Sequence, residues 1–154
     1  MLLNCHTHYS FHYGTVSPKQ LLKIAVRAGA QSVALTDVNS SAACLEFLRQ
    51  SREFEVHPVV GIDFKVKAQT KYVGLARNNE GFREINKHLS QQLMGARTER
   101  SRSGEDVLNG APVFSHVYII YPLSKAPSRK LKDNEFVGVA PTELMRFRFS
   151  PWLK

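Results

Sequence analysis

A chain of 154 residues, 43% hydrophobic and 22% charged, has the length and composition of one globular domain. Those values exclude disordered and fibrous classes, and no apolar run is long enough to cross a bilayer. The formal net charge of +8 suits work beside a polyanion, but much of the excess sits in two stretches, Arg97 to Arg102 and Lys125 to Lys132. Neither stretch carries the interleaved aromatics that stack on bases, so each reads first as a solvated loop. The start has no leader-type pattern. Cys5 and Cys44 lie in apolar surroundings without metal-type spacing, so the chain reads as cytoplasmic with two buried thiols.

Leu2 to Cys5 reads as a first strand, leading into Asn4-Cys5-His6-Thr7-His8-Tyr9-Ser10 and then Gly14. Side chains two apart on an extended backbone point the same way, so His6 and His8 could share a metal ion. Taken alone, the pair reads more simply as polar residues in a loop. Ser17 caps a helix with Pro18 in its first turn; Leu21, Ala25 and Ala28, flanked by Leu22 and Ile24, form its apolar face, and Gly29 stops it. Ser32 to Leu35 reads as a buried strand ending in Thr36-Asp37. Asn39 to Ser41 then offers an N-cap for a helix over Ala42 to Glu53, with Leu45 and Leu48 inward.

His57 to Gly61 is a third strand running on into Ile62, Asp63 and Phe64, and Phe64 to Ala76 reads as a hairpin turning near Gln69-Thr70. Asn78-Asn79 caps a helix whose Phe82, Ile85, Leu89 and Leu93 share one stripe. From Gly95 to Gly110 the sequence is polar and aperiodic, a loop or connector. Val117 to Tyr121 and Phe136 to Val139 are further strands, and Pro141-Thr142-Glu143 opens a short final helix.

Strands alternating with amphipathic helices predict an α/β fold with mostly parallel strands. Ligands of such folds gather at the C-terminal ends of the strands, where His6 with His8, Asp37 and Asp63 fall. Those groups on one edge suit metal-assisted phosphoryl hydrolysis. Singly, Asp37 reads equally as a helix-capping carboxylate and Asp63 as an ordinary strand-end residue.

The motif series resembles the PHP (polymerase and histidinol phosphatase) domain at the N-terminus of bacterial DNA polymerase III alpha subunits. The matching pieces are Cys5-His-Thr-His-Tyr-Ser10 with Gly14, Ala34-Leu-Thr-Asp37 with Asn39, Glu46-Phe47, Pro58-Val-Val-Gly-Ile-Asp-Phe64, and Gly74-Leu-Ala-Arg-Asn-Asn-Glu-Gly-Phe82. The resemblance implies a partial, distorted β/α barrel of PHP type, TIM-like, with a Zn, Mn or Mg cluster at its C-terminal face. In some members that cluster supports exonuclease or phosphoesterase activity; in others it is lost. The implied organisation is 1–94 as the N-terminal part of the domain, 95–110 as a basic polar loop, and 111–154 as a truncated continuation.

Carried over residue by residue, the resemblance puts His6 at the second family histidine and Asn4 at the first. His8 falls where relatives usually have an acidic residue. Tyr13 replaces an aspartate, Val38 a histidine ligand, and Asp63 a glutamate. His8 or His12 would have to compensate from neighbouring positions. The expectation is therefore a degenerate metal site of His6, His8, Asp37 and Asp63 in a mainly structural domain. The whole would be a fragment of a polymerase III alpha-like replicative subunit, its unfinished ending at Trp152-Leu153 marking an excised piece. The parent would be a Mg-dependent nucleotidyltransferase acting on DNA among other replisome subunits, and the fragment itself non-catalytic. Exposed strand edges would favour a homodimer. Two alternatives stand beside this: a metal-dependent phosphoesterase or 3'-5' exonuclease using the same four residues, and a basic nucleic-acid-binding or docking module built on the two basic stretches.

Overall fold

The computed structural model describes residues 1–98 and 112–150, the side chains of 95–98 excepted. Six strands form one sheet in the order of the chain: β1 (Leu2–Cys5), β2 (Ser32–Val38), β3 (His57–Val66), β4 (Gln69–Ala76), β5 (Val117–Pro122) and β6 (Glu135–Gly138). β1, β2 and β3 run parallel, as do β5 and β6, whereas β3–β4 and β4–β5 are antiparallel. The sheet is therefore mixed, which corrects the expectation of mostly parallel strands. The cause is local. Lys67 and Ala68, both at positive φ, form a two-residue turn that folds β4 directly back on β3.

Helix α1 (Pro18–Arg27) has the sequence-encoded start: Ser17 Oγ accepts from Gln20 N, and Gln20 Oε1 accepts from Ser17 N. Leu21, Leu22 and Ala25 are buried, but Ile24 and Ala28 are exposed, and Gly29 closes the helix at φ 64°. Helix α2 (Cys44–Ser51) starts two residues later than expected and has no side-chain cap. Its phase differs too: Cys44 and Phe47 are buried and Leu48 packs against the core, while Leu45 is 70% exposed. Helix α3 (Asn79–Thr98) is capped by Asn78, whose Oδ1 accepts from Gly81 N, and it continues past Gly95 to Thr98. Ile85 and Leu89 are buried in its stripe and Leu93 is exposed. The rest of the expected loop, 99–110, lies outside the described residues. A 3-10 turn (Pro141–Glu143) and α4 (Leu144–Arg148) follow β6 where the sequence placed a short helix.

All three long helices cover one face of the sheet. α1 and α2 bury Val33, Leu35 and Val60, and α3 buries Ile62, Phe64, Tyr72, Val117 and Ile119. Ala34, Val73 and Leu75 are buried on the opposite face, beside a groove lined by Leu3, Val59, Tyr118, Ile120 and Phe136. Among the described residues no helix is long and apolar enough to cross a membrane.

Candidate functional site

The loop after β1 is held by one carboxylate. Asp37, 1% exposed near the end of β2, accepts from Thr7 N (2.7 Å), Thr7 Oγ1 (2.7 Å) and Ser10 Oγ (2.6 Å). Ser10 Oγ in turn accepts from Val38 N at 2.8 Å, so the loop and the strand end are stitched from both sides. Gly14 closes the loop against Thr7, where any Cβ would stand 2.0 Å from the Thr7 carbonyl oxygen. Hydrogen bonds from a backbone N–H and two hydroxyls to a buried carboxylate are strong, charge-assisted bonds. Asp37 thus caps a loop rather than a helix.

Register decides what Asp37 can share with Asp63. On the parallel β2–β3 pair Asp37 lies beside Ile62, and Val38 beside Asp63. Alternation therefore sends the two carboxylates to opposite faces of the sheet. Asp63 shares its face with Thr36 and Val38. Val38, at the position the PHP resemblance gives to a histidine, is the direct lateral neighbour of Asp63 and brings no donor there.

Asp63 is fully buried. Its Oδ2 lies 3.1 Å from His6 Nε2 and 3.4 Å from Lys65 Nζ; its Oδ1 has no hydrogen-bond partner among the described residues. Lys65 Nζ also sits 3.7 Å from the centroid of the Tyr13 ring. The backbone of Lys65 is fixed by Asn39, which accepts from Lys65 N and donates to its carbonyl oxygen (3.0 and 2.8 Å). Asn4, with φ 54°, accepts from Thr36 Oγ1 at 3.0 Å.

Of the four expected ligands, His6 and Asp63 come together. Asp37 lies on the other face with its oxygens bound. His8 is exposed, its ring stacked on Tyr9 at 4.7 Å, and His12 is exposed against Phe11. No group of three or more His, Cys, Asp or Glu side chains among the described residues converges as metal ligands. A catalytic metal centre draws on about three protein ligands with an open position. Against that requirement His6 and Asp63 supply two, already in contact with each other and with an ammonium. The donor set does not fit a metal cluster, although the unpartnered Oδ1 is one acceptor left over.

The thiols and the basic stretches are accounted for separately. Cys44 is buried, and burial, with a smaller push from the Asp37 charge, raises its thiol to about 12; Cys5 is half-buried and also raised by burial. Neither is a reactive thiolate at neutral pH. Within Lys125 to Lys132, Arg129 is bound bidentately to Glu135 at 2.6 and 2.7 Å, so part of that charge is neutralised internally. Arg97 and the residues to Arg102 fall where side chains are not described.

Sequence reasoning missed Thr7, Ser10 and Lys65. Thr7 and Ser10 looked like loop polars, and a lysine in a strand looks solvent-facing. The one available signal was Tyr13 in place of an acidic residue, which leaves a ring where a charge would compete for Lys65.

A mixed sheet covered by helices on one face, with His6 after β1 and Asp63 on β3 brought together, defines an α/β domain. Residues 3–114 match the model of the PHP domain, and the chain belongs to that family. It is 29% identical over 106 residues to DNA polymerase III subunit alpha of Ureaplasma parvum, covering 69% of this chain and 11% of that protein. To the DNA polymerase III subunit alpha of Mycoplasma genitalium it is 33% identical over 92 residues, 56% of this chain and 10% of the other. The chain thus spans roughly a tenth of the length of these relatives. Among solved structures it is similar to a metal-dependent phosphoesterase candidate from Bifidobacterium adolescentis, with TM-score 0.47 and 23% identity over 64% of this chain and 33% of that one. Likeness at that level defines neither a closed barrel nor a chemistry.

Proposed function

We propose that the chain is the PHP region of a DNA polymerase III alpha-like replicative subunit and acts there as a structural scaffold, not as a hydrolase. The family match and the names of the relatives support the first half. The observation that carries the second is the Asp63 carboxylate, shared by His6 and Lys65 while Asp37 is bound by Thr7 and Ser10. On this reading His6, His8, Asp37 and Asp63 are the remnant of a Zn, Mn or Mg site. Nucleotidyl transfer with Mg²⁺, contact with DNA and with other replisome subunits, and a cytoplasmic location all belong to the parent protein. Residues 1–98 and 112–150 belong to one domain on this reading, which is supported by β5 and β6 extending the sheet that the first segment begins.

The unpartnered Asp63 Oδ1 favours a second reading, a metal-dependent phosphoesterase or 3'-5' exonuclease. Hydrolysis separates the two. The purified chain is incubated with a chromogenic phosphodiester and with 3'-labelled single-stranded DNA, in Zn²⁺ or Mn²⁺. The expected result is no cleavage above a heat-killed control. Metal-dependent cleavage that disappears in His6→Ala would replace the scaffold with the enzyme.

A further inference from the structure

We infer that the Lys65 ammonium is the resident cation of the Asp63 pocket and occupies it in place of a divalent metal ion. The inference rests on the scaffold reading and adds what fills the site.

A carboxylate with no solvent exposure needs a compensating cation or a full set of donors. Asp63 has neither three donors nor a metal ligand set around it. It has one imidazole nitrogen at 3.1 Å and one ammonium at 3.4 Å, both on Oδ2. The Lys65 side chain is only 12% exposed, so its charge is taken largely out of water and its partners are those the pocket provides. The pocket provides two. Asp63 lies on one side, and the face of Tyr13 on the other, at 3.7 Å, where the ring quadrupole attracts a cation.

The setting is built to hold the ammonium. Asn39 binds both the N–H and the carbonyl of Lys65, so the lysine stem leaves a fixed point of β3, just after the irregularity between Phe64 and Lys65. Val38 lies beside Asp63 without a competing donor or charge. Two of the departures from the family pattern then stand around one cation: Val38 removes a ligand and Tyr13 exchanges an acid for a ring, while Lys65 brings the charge. An ammonium against the carboxylate neutralises the attraction a dication would feel and adds repulsion of its own.

The test is metal binding and thermal unfolding of the full chain with Mn²⁺ and Zn²⁺, each added alone. The wild type is expected to give no saturable binding heat and the same Tm with metal or with chelator. Lys65→Gln is expected to unfold several degrees lower and to give a saturable binding heat with either metal. That gain disappears when Asp63→Asn is added. Lys65→Arg keeps a cation and stays indifferent to metal. The inference is overturned if Lys65→Gln neither loses stability nor gains affinity, or if Lys65→Arg gains as much as Lys65→Gln. Should Lys65→Gln not fold, Mn²⁺ line-broadening of the His6 ring protons in the wild type decides: none is expected, and selective broadening overturns the inference. Neither failure produces phosphodiester cleavage, so the scaffold reading falls only by its own assay.

Discussion

Two buried carboxylates one strand apart, Asp37 on β2 and Asp63 on β3, differ in how their oxygens are occupied. Asp37 receives three short hydrogen bonds from Thr7 and Ser10 and holds the loop that follows β1. Asp63 receives an imidazole and an ammonium on a single oxygen, and its other oxygen is left over. Both stand at the edge where ligands of α/β folds gather, yet the register β2–β3 turns them to opposite faces. Proximity along an edge is thus no measure of a shared site. A one-residue difference in alternation separates a structural clamp from a charge-filled pocket.

The largest expected effect comes from breaking the clamp. Asp37→Ala strands the Thr7 N–H and two hydroxyls in the interior, and should cost more than about 3 kcal/mol in chemical denaturation. A loss below about 1 kcal/mol would show that the loop does not depend on this carboxylate.

Glu135 offers a third buried carboxylate and sharpens the contrast, because it resembles Asp37 in being saturated. It accepts from both Arg129 Nη atoms, from Lys132 N and, at 3.4 Å, from Tyr121 OH. Hydrogen bonding from Arg129, working against burial, holds its carboxyl at about 2, below the ordinary 4.5. A group held lower in the folded than in the unfolded chain stabilises fully above the unfolded value and loses that contribution as pH falls through the folded one. Between about pH 5 and pH 2 the wild type should therefore lose about 1–2 kcal/mol more than Glu135→Gln, a figure reduced for solvent screening at the half-exposed Arg129. Parallel pH profiles of the two proteins would contradict it.

A smaller effect belongs to the Asp63 pocket. Tyr13→Leu keeps apolar cover but removes the ring face from Lys65, and should cost about 0.5–1 kcal/mol. No change, or the same change in a Lys65→Gln background, would mean that the ring does not serve the cation.

Much of the framework was legible because its signals are local. Ser17 with Gln20 and Pro18 fixes the start of α1, Gly29 its end, and the apolar runs of β2, β3 and β5 have no other use. The Lys67–Ala68 turn is not legible, since a two-residue hairpin normally advertises itself with Asn or Gly, and the sequence points to Gln69-Thr70 instead. The phase of α2 was misjudged because Cys44 and Leu45 are adjacent and both apolar, and only packing against Phe47 and the sheet selects between them. At the site, His6 is singled out by its place after β1 and Asp63 by its place late in the third apolar run. Their separation from Asp37 depends on pairing register, and Lys65 depends on the third dimension entirely. Neither is a property of spacing along the chain.

A pocket at Asp63 that holds its own cation leaves no seat for a dication. Anomalous diffraction from crystals grown in Mn²⁺ tests it most directly. The expected map has Lys65 Nζ against the Asp63 carboxylate and over the Tyr13 ring, with no manganese peak at either carboxylate oxygen. A manganese ion bonded to Asp63 and His6, with Lys65 swung out to solvent, would contradict it.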